Sequence, residues 1–350
     1  MLFAFAIACG RAAPPPAPPL FPLSNAWIAT LESPIEGPLA ASGGRVLVHT
    51  RDGAVQALSA VDGRPVWRMV SPPGLLAASD AIVCLRSRDG TVTALAPDTG
   101  QQRWSVPTGI VGELPAAVQA DRVLVAGQGV AALDAGSGHM LWSVAGGTAV
   151  TSPPAQIGSC VLLGEGEVLR CREAGTGRSQ WEYRARGAIT SPPVSDGEEK
   201  IFLGTAGREF LALDLDDGDR DWRWKVGADV RWPAVVWRSL VVFATHENVL
   251  YALKRKGGNL AWRAGLPSRP FSAPLLVGND VLVACYGRRP EENFLVGFDA
   301  RTGERLGDLR TPGELAAAPL GAAGRLFLPL RDRRVVALLL PAAPPPAPLP

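Results

Sequence analysis

Three histidines, three methionines and five cysteines in 350 residues leave little material for metal or redox chemistry. His49, His139 and His246 have no metal-ligand spacing, and His246-Glu247 lacks the second histidine of an HExxH motif. The cysteines form no CxxC pair, which excludes the common zinc and dithiol motifs. Neither a Walker phosphate loop nor a GxSxG nucleophile elbow occurs. Charge of one sign is also missing: 35 basic and 33 acidic residues interleave to a formal +2, so no field points to nucleic acid or an anionic membrane surface. No apolar run approaches the ~20 residues of a bilayer-spanning helix. The expectation from these absences is no catalytic, cofactor-binding or metal site.

What the chain has is glycine (39), proline (32) and tryptophan (10), placed with a period. The stretch 91–104, TVTALAPDTGQQRW, recurs with drift. Its Ala94-Leu95 pair has counterparts at Ala57-Leu58, Ala132-Leu133, Cys171-Arg172, Ala212-Leu213, Ala252-Leu253, Gly297-Phe298 and Ala337-Leu338. A small-residue turn follows seven of the eight, ending in Gly63, Gly100, Gly138, Gly177, Gly218, Gly258 or Gly303. Four residues after each of the first six comes a tryptophan: Trp67, Trp104, Trp142, Trp181, Trp222 and Trp262, with Gly307 standing in the seventh copy. A second series, of prolines opening short apolar runs, runs from Pro38 and Pro73 to Pro274 and Pro319 and also counts eight. Such a period marks stacked units that cannot bury an apolar face alone.

Within a unit, short apolar or alternating runs are parted by Gly, Asp and Pro clusters, the signals of strands and hairpins. In the fifth unit the strands are predicted at 193–195, 201–205, 210–214 and 220–226. The fold class is therefore all-β: an eight-bladed β-propeller of four-stranded antiparallel blades, which protects its sheet edges by radial repetition. The last copy stops before its turn and tryptophan, whereas the chain opens with an unaccompanied tryptophan strand around Trp27. Trp27 is expected to complete blade eight and close the ring. All seven tryptophans should wedge between blades, with Gly307 marking the weakest contact.

Four segments follow. Residues 25–340 form the propeller, and residues 341–350 a proline-rich tail. Residues 1–9 resemble a lipoprotein signal with its lipobox, an apolar run ending at Cys9, which would be the lipidated residue. Residues 10–24 form a proline-rich tether of extended character. Gly10 lacks the aspartate associated with inner-membrane retention, so the address expected is periplasm-facing and lipid-anchored at the outer membrane. Of the other cysteines, Cys160 and Cys171 are symmetric about Glu165-Gly166, and the register there decides between a disulfide and two separate thiols. Cys84 and Cys285 sit in apolar strands and read as buried hydrophobes.

Trp224, Trp232 and Trp237 are extra to the periodic series. Arg231-Trp232-Pro233 leads into the innermost strand of blade six, which puts Arg231 and Trp232 at a rim of the central channel. These residue types dominate interface hot spots, so this pair is the expected partner-binding site. The acidic run 214–221, DLDDGDRD, has no glycine at the sixth place of an EF-hand loop and reads as a blade turn.

The pattern TSPPVSDG, IFLGT, FLALD, acidic-Gly turn and tryptophan resembles the pyrroloquinoline quinone (PQQ) type propeller repeat, over nearly the whole chain. With the lipobox-like start it is most similar to the BamB family of outer-membrane assembly lipoproteins. That resemblance implies a monomeric, non-catalytic scaffold without cofactor, gripping a protein partner of the β-barrel assembly machinery. The alternatives it leaves are a PQQ-dependent dehydrogenase holding PQQ and Ca²⁺, and a propeller binding a carbohydrate or small ligand in its channel. No adjacent cysteine pair is present for the quinone to stack on, and the Leu-x-Leu-Arg contact pattern of the BamB family has no match.

Overall fold

The alternation of short apolar runs and turns resolves into eight four-stranded antiparallel sheets arranged as a ring of blades in the computed structural model. The structure describes residues 19–341, apart from 71–73, 120, 288 and 290–291. Pro73, the signal-like stretch with Cys9, residues 10–18 of the proposed tether and all but the first residue of the tail lie outside the described residues. In blade five the strands are Val194–Ser195, Lys200–Thr205, Glu209–Asp214 and Arg220–Lys225. Blade eight is made from both ends of the chain: Ser24–Thr30 pairs with Arg334–Leu339, setting Trp27 opposite Ala337.

The repeated Ala-Leu pair has a physical reason. In seven of the blades its first residue stands opposite the outer-strand tryptophan, Ala94 against Trp104 and Ala212 against Trp222, and the register shifts immediately after. A small side chain there makes room for the indole, and the bulge turns the outer strand so that the ring reaches the next blade. Every one of the seven indole N–H groups donates to a backbone carbonyl of that next blade, at 2.7 to 3.1 Å. Each ring also covers the next turn glycine. A Cβ on Gly138 would lie 2.7 Å from the Trp104 ring, and with φ at +75° the position excludes other residues twice over.

Blade seven departs from this rule, and the eighth docking pair is replaced rather than left open. Gly307 stands where the tryptophan would be and Gly297 where the alanine would be, and they face each other across the strands. Leu20 and Phe21 fill the space: a Cβ on Gly297 would sit 2.5 Å from both side chains, and one on Gly307 3.1 Å from Phe21. Leu20 and Leu23 are buried in the cluster that joins blades seven and eight. The last residues of the stretch read as a tether over 10–24 are thus part of the ring, because their apolar side chains replace a missing indole. Blade seven's contact is made by another segment.

Cys160 and Cys171 form a disulfide, their Cα atoms 5.5 Å apart. Their register differs from the symmetric one. Leu162 is opposite Cys171 and Cys160 opposite Glu173, because the hairpin turns at Gly166-Glu167, and the bond runs diagonally. Cys84 and Cys285 are buried, and burial pushes both thiols up to about 12.

On the turn side of blade seven, Asp280 faces Asp299 across the strands. Burial, with Asp299 adding repulsion, raises Asp280 to about 6. A carboxyl whose folded pKa exceeds its unfolded value stabilises the fold below the unfolded pKa, and that contribution is lost as pH rises through about 6. Asp280→Asn should therefore stabilise the protein by about 1 kcal/mol at pH ~8, allowing for solvent screening, and by close to nothing at pH ~3. Urea midpoints at the two pH values check this; an equal gain at both would show that Asp280 is not the titrating group.

Candidate functional site

Because the strands of a blade alternate in direction, two sets of connections open on one face of the ring. These are the crossovers between blades and the hairpins joining second to third strands. The crossover entering a blade bonds to the end of that blade's second strand, as in Glu36 N–H to His49 O, Thr151 N–H to Gly164 O and Ala316 N–H to Pro329 O. Residues on this loop face therefore come from all eight blades.

Arg231 and Trp232 lie on the crossover ahead of Val235–Trp237. Arg231 is exposed and pairs with Asp229 at 3.2 Å. Trp232 is half-buried, its carbonyl accepts the Ser191 hydroxyl at 3.1 Å, and its indole N–H is buried with no acceptor. An unmade buried hydrogen bond costs ~1 to 3 kcal/mol. Nearby, His246 is held below the usual histidine range by burial and by the charges of Arg231 and Arg269, with Asp229 opposing. This sector brings Arg231, paired with Asp229, and Arg269 around His246, beside an indole short of one acceptor. Trp224 packs into the blade core, and Trp237 is buried with the Arg238 guanidinium 4.8 Å from its ring centre. The acidic run 214–221 caps its own turn, Asp214 accepting from the Asp216 N–H at 2.9 Å.

A second sector, on blades one and two, was not singled out by its sequence. A cavity of about 710 Å³ opens there, lined among others by Glu36, His49, Leu76, Arg86, Asp89 and Glu113. His49 and Arg86 occupy the same place in the repeat, the end of the second strand. The other six blades carry Ala126, Gly164, Gly204, Ala244, Ala284 and Pro329 there. Where the residue is small, the following crossover packs down on it, Ile189 over Gly164 and Val230 over Gly204. Blades one and two place large nitrogen-bearing side chains in that position instead.

Both side chains are buried, Arg86 at 1% and His49 at 2% exposure, which is why a charge on either is costly. The Arg86 guanidinium donates to the carbonyls of Leu114, Ala126 at 2.7 Å and Ile110 at 2.9 Å. No carboxylate pairs with it among the described residues, its Nε has no acceptor, and desolvation lowers it to about 10. It remains a cation at neutral pH. His49 Nε2 is likewise buried without a partner, and desolvation lowers the imidazole against the opposing pull of Glu36 and Asp52. Towards solvent the cavity wall is acidic: Glu36 is exposed, Asp89 is held low chiefly by the Ser87 hydroxyl, and Glu113 pairs with Arg88 at 3.2 Å.

Among the described residues no three His, Cys, Asp or Glu side chains converge to hold a metal ion. The three histidines lie in blades one, three and six and are not brought together.

Comparison with known proteins agrees with the geometry. The fold is similar to that of BamB from Moraxella catarrhalis, with a TM-score of 0.76, 18% identity, and coverage of 91% of this chain and 100% of that one. A computationally designed protein, Ika8, matches with a TM-score of 0.76 and 18% identity, covering 90% of this chain and 99% of that one. Quinohemoprotein alcohol dehydrogenase from Comamonas testosteroni matches with a TM-score of 0.71 and 15% identity, covering 94% of this chain and 77% of that one. Among curated proteins no sequence matches. The family model described as outer membrane protein assembly factor BamB matches residues 24–109, 88–231 and 223–340, which together span every blade, and the chain belongs to that family of PQQ-repeat propellers.

Proposed function

We propose that the protein is a non-catalytic, protein-binding scaffold of BamB type that serves outer-membrane β-barrel assembly, facing the periplasm and held at the outer membrane by a lipid on Cys9. The observation that carries this reading is the family match running through all eight blades. The loop face supports it with two arginines, Arg231 and Arg269, close to an indole donor that lacks an acceptor. Arg and Trp anchors of this kind carry most of the energy in protein interfaces. A calcium–quinone pair, as the fold likeness to quinohemoprotein dehydrogenases would suggest, finds no cluster of metal-ligating side chains among the described residues and no adjacent cysteines in the sequence.

The test is affinity capture of the full-length protein from detergent-solubilised membranes. Barrel-assembly subunits should co-purify. Arg231→Ala with Trp232→Ala should weaken that capture by ~2 kcal/mol or more while the unfolding midpoint stays in place. Cys9→Ala should release the protein from the membrane. Unchanged capture by the double variant would move the contact to another sector, and membrane association without assembly subunits would sink the assembly role.

A further inference from the structure

We propose that the cavity between blades one and two binds a small zwitterion of the amino-acid or short-peptide class. Its carboxylate would lie toward Arg86 and His49 and its ammonium group toward Glu36 and Glu113. Four observations converge on this. The volume, about 710 Å³, falls in the ~300 to 1,000 Å³ range of small-molecule sites. The inner wall holds a cation whose partners among the described residues are all backbone carbonyls, and a ligand carboxylate supplies the opposite charge those neutral groups do not. Two nitrogens behind that wall, Arg86 Nε and His49 Nε2, are buried without a partner, and a ligand carboxylate at the inner wall would bring a charged acceptor toward them. The outer wall carries three carboxylates, Glu36, Asp89 and Glu113, against one cation, Arg88, and this excess disfavours a multiply charged anion and favours a molecule carrying an amine at its other end.

The repeat strengthens the case. At this strand end Ala, Gly or Pro satisfies the fold in six blades, so the propeller does not need a histidine or an arginine there. The two exceptions are neighbours and line one cavity. A purely structural role accounts for Arg86, which ties down the carbonyls of the crossover entering blade three, but not for His49 with its idle nitrogen.

The experiment is isothermal titration calorimetry of the full-length protein with the dipeptide Ala-Lys. Two controls are Ala-Lys amide, which lacks the carboxylate, and N-acetylglycine, which lacks the amine. Ala-Lys should bind with a Kd below about 1 mM, and each control at least ~tenfold more weakly. Arg86→Ala risks loosening the crossover, so the informative variants are His49→Ala, which installs the residue of blades three, six and seven, and Glu36→Gln on the exposed wall. Each should weaken Ala-Lys binding at least ~tenfold while the circular dichroism spectrum shows the variant folded at the temperature of titration. No heat with Ala-Lys, equal binding of either control, or wild-type affinity in both variants would overturn the assignment.

Discussion

Trp104→Ala is expected to lower the unfolding free energy by about 3 to 5 kcal/mol, as measured by urea denaturation. The indole is buried to 8% exposure, lies over Gly138 of blade three and donates to the Ala135 carbonyl at 3.0 Å. A buried tryptophan removes ~150 to 250 Å² from water, about 4 to 6 kcal/mol at ~25 cal/mol per Å², before entropy is subtracted. Truncation also strands the Ala135 carbonyl and leaves a void against a turn that cannot collapse, since Gly138 is fixed by its left-handed backbone. Trp104→Phe keeps most of the ring and loses the hydrogen bond, so it should cost about 1 to 2 kcal/mol, less than the alanine variant. If the alanine variant changes stability by less than ~1 kcal/mol, the ring does not carry the blade contact.

Why this placement was legible in sequence is itself physical. The docking residue, the small residue opposite it and a turn glycine recur in unit after unit at fixed spacing, so Ala94, Gly100 and Trp104 announce themselves by period alone, although the glycine each indole covers belongs to the next unit, Gly138 for Trp104. Ring closure by Trp27 was legible for the same reason, as a fragment of the pattern displaced to the other end. The seam between blades seven and eight was not. Gly297 and Gly307 show in the sequence as gaps in the period, but nothing local says that Leu20 and Phe21, nearly 280 residues earlier, fill them. The diagonal setting of Cys160 and Cys171 was missed because one residue of hairpin register reassigns every partner across the strands.

The candidate sites divide along the same line. Arg231 and Trp232 stand out as residue types, and the loop face does carry them, yet the cluster they share with His246 and Arg269 needs the ring to bring three loops together. His49 and Arg86 left a sequence signal that composition hides: they are large and polar at a repeat position that is otherwise small. A column-by-column alignment of the eight units exposes that exception, whereas scanning for motifs cannot, because neither residue belongs to a recognisable catalytic or metal-binding motif. A propeller supplies eight near-identical scaffolds for loops, so what departs from the repeat without serving it is where specific chemistry is to be sought.

The seam leads to the second large effect. Changing Leu20 and Phe21 together to alanine should cost about 4 kcal/mol, a loss comparable to deleting one of the seven indoles. Leu20 is buried to 1% exposure among Leu282, Leu295, Leu326 and Leu338 of blades seven and eight, and Phe21 packs on Gly297 and Gly307. No tryptophan bridges these two blades, so the segment 20–23 supplies the contact that every other junction takes from its own repeat. The reverse substitution tests the same packing from the other side. Gly297→Ala restores the residue found in most blades, yet its Cβ would meet both side chains at 2.5 Å, so it should destabilise the protein by about 1 to 2 kcal/mol instead of improving the strand. In a Leu20→Ala, Phe21→Ala background that penalty should vanish, because the new methyl then enters the space the two side chains have left. Additive losses in the triple variant, or a double variant that unfolds at the wild-type urea concentration, would show that blades seven and eight are held together by their inner strands and not by this segment.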